Sequence, residues 1–126
     1  MPKISKQSAP NVMDAGPSLD QGGHLDDYAV DFVTIRQSHS LAPLLAGLPG
    51  DSCPCPHWGY VFAGQVTVTY SDREEVFEAG DAFYMPPGHV PAATEGTELL
   101  QFSPKTELAE VIAVISANAA RMMPTA

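Results

Sequence analysis

The stretch from Asp51 to Pro91 decides the fold. It reads DSCPCPHWGYVFAGQVTVTYSDREEVFEAGDAFYMPPGHVP. Short segments in it alternate between apolar and polar residues, and Gly, Pro and Asp separate them, which is typical of antiparallel strands joined by tight turns. The stretch opens with four residues of metal-binding type and closes with the turn Pro86–His89. It therefore predicts a small all-β barrel or sandwich with a candidate site at its two ends.

The individual strands can be placed from this alternation. Gly64 follows one strand and precedes the strictly alternating VTVTY, so we expect these two strands to form a hairpin. Outside the stretch, β-branched and aromatic residues predict one strand before it and one after it. The predicted strands are residues 28–36, 58–63, 66–70, 74–78, 82–85 and 97–102.

The two ends of the chain differ from this central part. Residues 1–23 are rich in Pro, Ser, Gly and Gln, which predicts a flexible N-terminal arm, with one short strand against a neighbour as the alternative. Residues 24–103 would form the barrel. Ser103 as N-cap and Pro104 in the first turn predict a helix over 104–126 that packs on it. Residues 41–48 are apolar but contain Pro and Gly, so we expect a short turn that covers an open end of the core.

Composition restricts the function. The chain has 126 residues, enough for one domain, and carries six basic against fifteen acidic residues, a net charge of -9. A basic surface for nucleic acid or an anionic membrane is therefore not expected. No apolar run has the length of a membrane span and no secretory signal is recognisable, so we predict a cytoplasmic protein. The only two cysteines, Cys53 and Cys55, stand too close for an unstrained disulfide and are expected as thiols or ligands.

The spacing of glycine and proline resembles a known family, the small single-domain cupins. Their second motif is G-x5-P-x-G-x2-H-x3-N, and Gly80, Pro86 and Gly88 fall at its glycine and proline positions. Pro91 stands where the motif has histidine, while His89 lies two residues earlier. The resemblance covers about residues 28–103 and implies an all-β cupin double-stranded β-helix, a jelly-roll-like barrel, with the C-terminal α-helix added.

The first cupin motif, G-x5-H-x-H-x3,4-E-x6-G, is matched at its end. The sequence YVFAG, ending at Gly64, resembles the family's Tyr-Val-Leu-x-Gly. Counting back from Gly64 places His57 in the glutamate position, Cys53 in that of the second histidine and Asp51 in that of the first. The usual ligands are thus replaced, but each replacement can itself bind a metal.

A metal site is one interpretation of these residues. Residues 51, 53, 55 and 57 would face one side of an extended strand, and His89 could face the same interior. Thiolates with imidazoles favour Zn or Fe(II) over Mg or Ca. The predicted ligands of this divalent metal are Cys53, Cys55, His57 and His89. The alternative is a metal-free interior in which the cysteines pack as small apolar residues and the histidines bond to the backbone.

Two functions follow from these patterns. The first is a metal-dependent enzyme acting on a small organic molecule in the barrel, and the second is a non-catalytic cupin that binds or senses a small ligand. The predicted pocket residues are Asp51, Trp58, Tyr60, Phe62 and Tyr84. The family resemblance also implies a homodimer.

Overall fold

The computed structural model describes residues 3–122. Within these residues, ten strands, two short 3-10 helices and one α-helix follow one another. The strands are β1 (Asn11–Asp14), β2 (Ser18–Leu25), β3 (Tyr28–Ile35), β4 (His39–Ser40), β5 (His57–Ala63), β6 (Gln65–Thr69), β7 (Glu74–Glu78), β8 (Ala82–Met85), β9 (Val90–Ala93) and β10 (Glu98–Pro104). The 3-10 helices are Ala42–Leu45 and Pro49–Asp51, and α1 is Lys105–Met122.

The strands form two antiparallel sheets. One has the order β1-β2-β3-β10-β5-β8 and the other the order β4-β9-β6-β7. Between them lies a buried core whose members are Val61, Val66, Val68, Tyr70, Phe83, Met85 and Leu99. This arrangement agrees with the predicted all-β class and its C-terminal helix.

Gly64 marks the point where the chain passes from one sheet to the other. The strands on either side of it, β5 and β6, lie in different sheets and do not pair. The predicted hairpin at Gly64 is therefore wrong: β5 pairs with β8 and β10, and β6 pairs with β7 and β9. Gly64 has φ 83°, and a side chain there would collide with Thr97, so the corner requires glycine.

The N-terminal part is ordered in strands. The prediction of a flexible arm is wrong for residues 11–23, because β1 pairs with β2, and β2 pairs with β3 over its whole length. The glycines that suggested flexibility permit close packing. A side chain at Gly22 would touch the carboxyl group of Asp31, and one at Gly23 would touch Ile4 and Pro10.

A capping segment, residues 41–56, and α1 together close one end of the barrel. Leu45, Cys53, Cys55 and Val111 form a second buried cluster between them, which Leu108 and Ile115 extend. The side-chain amide of Asn118 donates hydrogen bonds to the carbonyls of Leu44 (2.7 Å) and Ala46 (2.8 Å). The predicted covering role of residues 41–48 and the packing of the helix stripe agree with this arrangement.

The start of α1 differs slightly from expectation. The helix begins at Lys105, and β10 continues to Pro104, so Ser103 belongs to a strand. The predicted end of the helix, residues 123–126, lies outside the described residues. None of the described helices is long and apolar enough to cross a membrane.

Candidate metal centre

Three residues from separate parts of the chain meet under the capping segment. Cys53 lies in the capping segment itself, His57 begins β5, and His89 directly precedes β9. The backbones of Cys53 and His89 pair as in a strand: the Cys53 N–H donates to the His89 carbonyl at 2.9 Å, and the Gly88 N–H donates to the Cys53 carbonyl at 2.8 Å. This pairing attaches the capping segment to the Pro-Pro-Gly-His turn.

The three side chains converge closely. The Cys53 Sγ atom lies 3.7 Å from His57 Nε2, and the rings of His57 and His89 have centroids 4.8 Å apart. One ligand atom from each residue lies within 4.8 Å of the other two. All three residues are buried, with exposed fractions of 4% for Cys53, 6% for His57 and 0% for His89. A single small ion could contact all three atoms after a slight contraction.

Hydrogen bonds behind the rings fix how the histidines point. His89 Nδ1 lies 2.7 Å from the Pro86 carbonyl, which can only accept, so Nδ1 carries the proton. His89 Nε2 then presents a lone pair to the site, and it is buried without a hydrogen-bond partner among residues 3–122. His57 Nδ1 lies 2.6 Å from the Ser103 hydroxyl, which can accept its proton in the same way. Such outer contacts are typical of metal-binding histidines.

The surroundings make the site electrically neutral when no metal is bound. Burial, with a smaller contribution from the neighbouring His89, lowers the pKa of His57 to about 3. Burial also lowers the pKa of His89, against the opposing hydrogen bond to Pro86. Burial raises the pKa of Cys53, so its thiol keeps the proton at neutral pH. Both imidazoles are then ready as ligands, while Cys53 would have to release a proton on binding.

Two of the residues predicted at the site lie elsewhere. Cys55 is fully buried between Leu45 and Val111 in the cluster under α1, and it is not part of the three-residue group. Asp51 is exposed in a 3-10 helix, where its carboxylate accepts the Gly47 N–H at 3.0 Å. The assignments of Cys55 as a ligand and of Asp51 as a pocket residue are therefore corrected. They assumed a continuous strand over residues 51–57, but the strand starts only at His57.

The predicted aromatic pocket is also corrected. Since His57 faces the interior, the next residue faces outward, and the alternation continues along β5. The aromatic side chains lie on the outer surface of the six-stranded sheet, with exposed fractions of 41% for Trp58, 39% for Tyr60, 50% for Phe62 and 47% for Tyr84. They form an external aromatic face that continues to Tyr28 and Phe102.

Sequence reasoning missed Ser103, the partner of His57. It was assigned to helix capping because Pro follows it. The available signal was the alternation of β10: Leu99 is a core residue, and Gln101 and Ser103 share its parity, so Ser103 also faces inward.

Comparison with known proteins gives the fold a name. No family model and no curated protein matches the sequence. An RmlC-like cupin from Shewanella frigidimarina has a TM-score of 0.52 at 20% identity over 75% of this chain and 83% of its own. KdgF from Halomonas sp. has a TM-score of 0.52 at 22% identity over 75% and 86%. The polyketide cyclase RemF from Streptomyces resistomycificus has a TM-score of 0.58 at 13% identity over 82% and 79%.

These similarities show a cupin fold, the fold that the glycine and proline spacing predicted. The neighbours include proteins of different activity, such as a polyketide cyclase, so the fold leaves the function open.

Proposed function

We propose that Cys53, His57 and His89 bind one divalent metal ion, zinc or iron(II), and that the chain is a metal-dependent enzyme acting on a small organic molecule. The observation that carries this proposal is His89 Nε2, a buried lone pair without a partner. An unsatisfied buried acceptor costs about 1–3 kcal/mol, and a metal ion beside Cys53 and His57 would satisfy it.

The donor set suits these metals. One thiolate and two neutral imidazoles favour zinc or iron(II) over magnesium or calcium. A structure of HppE, described with Fe(II), has a TM-score of 0.56 to this chain at 9% identity, so iron should be measured beside zinc. Three protein ligands leave a further position for water or substrate, where the metal would act as a Lewis acid or activate a bound molecule.

The chain's own residues would prepare this chemistry. Pro86 and Ser103 hold the two imidazoles with Nε2 facing Cys53. Leu45 of the capping segment and Val111 of α1 pack in one cluster with Cys53 and exclude bulk water from it. Because the ligands are buried, a substrate would reach them only after local movement of this cover, which Asn118 holds at two carbonyls.

Metal analysis of the protein purified without added metal tests the proposal. We expect zinc or iron close to one equivalent, lost in the Cys53→Ala/His57→Ala double variant and kept in Cys55→Ala. Circular dichroism shows whether each variant is folded. A folded wild-type protein that takes up neither zinc nor iron, or a double variant with full metal content, contradicts the assignment.

A metal-free binding or sensing cupin is the second candidate, and one contact favours it. With the Cys53 thiol protonated, the thiol can donate to His57 Nε2 across their 3.7 Å separation, which gives the site an internal bond without metal. Mass spectrometry under native conditions distinguishes the two candidates. A retained organic molecule on a metal-free chain supports the second one.

The homodimer implied by the family resemblance is a further part of this proposal, and the external aromatic face supports it. Trp58 stacks on Tyr84 at 5.2 Å between ring centroids, and the outward residues of β5 and β8 carry no charge. A second copy, also at net charge -9, meets the least repulsion at such an uncharged surface. Light scattering should give twice the chain mass for wild type and the mass of one chain for Trp58→Glu; a monomeric wild type contradicts the dimer.

A further inference from the structure

A cleft lies between α1 and the strands β1, β2 and β3, and none of the candidate metal ligands lines it. Its volume is about 490 Å³. One wall is the apolar side of α1, with Leu108 and Ile112, and Met13 on β1 adds to the apolar lining. The opposite wall carries two carboxyl groups, Asp20 and Asp31. The cleft thus combines an apolar wall with a concentrated acidic one.

The two carboxyl groups are brought together by Gly22. A methyl group placed on Gly22 would lie 2.5 Å from one oxygen of Asp31 and 3.4 Å from one oxygen of Asp20. Only a residue without a side chain leaves room for both groups above the same point of the sheet. Asp31 is directly opposite Gly22 in the β2–β3 pairing, and Asp20 faces the same side two residues earlier.

The pair has no donor of its own. Asp31 is 9% exposed, the Asp20 carboxyl lies beside it above Gly22, and within residues 3–122 no hydrogen-bond donor is found on either group. Two carboxylates can bond to each other only if one keeps a proton. The buried Asp31 carboxyl lines the cleft and needs a hydrogen-bond donor there. That donor is either the proton shared with Asp20 or a positively charged ligand.

The residues that line the cleft indicate whether the positively charged ligand is a metal ion or an organic cation. A metal ion would need a third protein ligand, but among residues 3–122 the three-ligand group of His, Cys, Asp and Glu is Cys53, His57 and His89. An organic cation needs two acceptors at its charged end and an apolar wall for its body. The carboxyl pair supplies the first, and Leu108 and Ile112 supply the second.

We propose that this cleft binds a small organic cation, an alkylammonium or alkylguanidinium ion, whose N–H groups donate to Asp20 and Asp31 while its apolar part lies against α1. The ligand replaces the shared proton, which passes to solvent. The site is separate from Cys53, His57 and His89 and does not depend on a metal there.

The pKa values of the two carboxyl groups agree with a site for a cation. Burial, reinforced by the adjacent Asp31, raises the pKa of Asp20 to about 8. Burial also raises the pKa of Asp31, although His24 and Asp20 act in the opposite direction. The pair therefore holds a proton at neutral pH that a cation must displace. The other ionisable groups lining the cleft are His24 on β2 and Lys105 on α1.

Calorimetric titration of the full chain with pentylammonium chloride at pH 8 tests the proposal, with pentan-1-ol as the neutral probe of the same size. We expect pentylammonium to bind at least about tenfold more tightly than the alcohol, and Asp31→Asn to weaken it by at least about tenfold. Glu74→Gln removes a charge from the other sheet and should leave the affinity unchanged. Proton release should accompany binding, as buffers of different ionisation enthalpy reveal.

Other outcomes overturn the proposal. Equal binding of ammonium and alcohol would mean an apolar groove only, and unchanged binding in Asp31→Asn would place the cation elsewhere. Calcium or magnesium ions that bind more tightly than pentylammonium and displace it would make this a metal site. If Asp31→Asn does not fold, the isosteric Asp20→Asn gives the same comparison from the other carboxyl.

Discussion

His57 Nδ1 lies 2.6 Å from the hydroxyl oxygen of Ser103, a residue 46 positions further along the chain. The contact joins β5 to β10, and Ser103 is completely buried. Because Nδ1 is occupied, Nε2 is the nitrogen left to face Cys53. The orientation of the candidate ligand is therefore set by a strand that contributes no ligand itself.

Removing this hydroxyl should weaken metal binding. In Ser103→Ala the His57 ring loses the partner that fixes its orientation, and such outer contacts are typically worth about 10–100-fold in metal affinity. Competition with a chromogenic zinc chelator measures the change. The melting temperature of the metal-free variant is the control, since a purely structural role would lower it without changing affinity. An unchanged zinc affinity would contradict the role given to Ser103.

The two cysteines should behave differently although one residue separates them. Cys55→Ala removes a buried sulfur from the cluster with Leu45 and Val111, so it should lower the free energy of unfolding by about 1–2 kcal/mol and leave the metal content intact. Cys53→Ala should lose metal. Chemical denaturation and elemental analysis on both variants check this. Metal loss in Cys55→Ala would restore the ligand assignment made from the sequence.

Stability should fall as the pH rises from 6.5 to 8. Asp20 has a pKa of about 8 in the folded chain against 3.8 when unperturbed, so the folded state binds its proton more tightly, and this stabilisation is lost as pH rises toward 8. Below 6.5 the lowered pKa of His57 has the opposite effect, since stability then falls with acid. Between pH 6.5 and 8 the folded state holds one proton more than the unfolded state, so the free energy of unfolding falls by roughly 2 kcal/mol.

The variant Asp31→Asn isolates this effect. Its amide carries no charge and can donate to the Asp20 carboxylate, so the part of the raised Asp20 pKa that comes from Asp31 is lost while the part from burial remains, and the fall in stability over this window should become smaller. Urea unfolding at pH 6.5, 7.2 and 8.0, with a chelator present to remove any metal, measures it. Glu74→Gln should retain the wild-type slope. A slope equal to wild type in Asp31→Asn would exclude the acid pair as its source.

Two glycines with positive φ should differ in their tolerance of a methyl group. Gly80 (φ 96°) has no atom within 4 Å of an added Cβ, so Gly80→Ala should cost only the backbone strain, about 1–2 kcal/mol. At Gly64 (φ 83°) the Cβ would lie 2.5 Å from the Thr97 Cα, which adds about 1–3 kcal/mol of overpacking. The melting temperatures of Gly80→Ala and Gly64→Ala, compared with that of the wild type, measure the two losses of stability. Equal losses would show that the sheet corner can relax.

The fold could be predicted because its signals are local. Alternation within each strand predicts antiparallel sheets, and the positions of Gly80, Pro86 and Gly88 resemble the second cupin motif, which implies the cupin barrel. The pairing at Gly64 could not be predicted, because a glycine with positive φ serves a hairpin and a corner between sheets equally well.

The candidate site was only partly predictable. The sequence suggested Cys53, His57 and His89 by residue type, but the departure of residues 51–56 from strand geometry turned Cys55 toward α1. The outward direction of Trp58 could have been deduced: a strand that turns His57 inward turns its neighbour outward. The inward direction of Ser103 could have been deduced from the alternation of β10, but its partner His57 could not, and the pairing of Asp20 with Asp31 was out of reach because tertiary pairing determines it.

The pairing of Cys53 with His89 has a consequence for how the molecule folds. The capping segment can pair with that turn only after β5 and β8 have brought the surrounding strands into place. Contacts between distant parts of a chain close late, because the loss of chain entropy comes before the contact forms. The cluster of Cys53, His57 and His89 is therefore assembled only once β5 has paired with β8, and an ion held there would slow the opening of a finished barrel rather than start its formation.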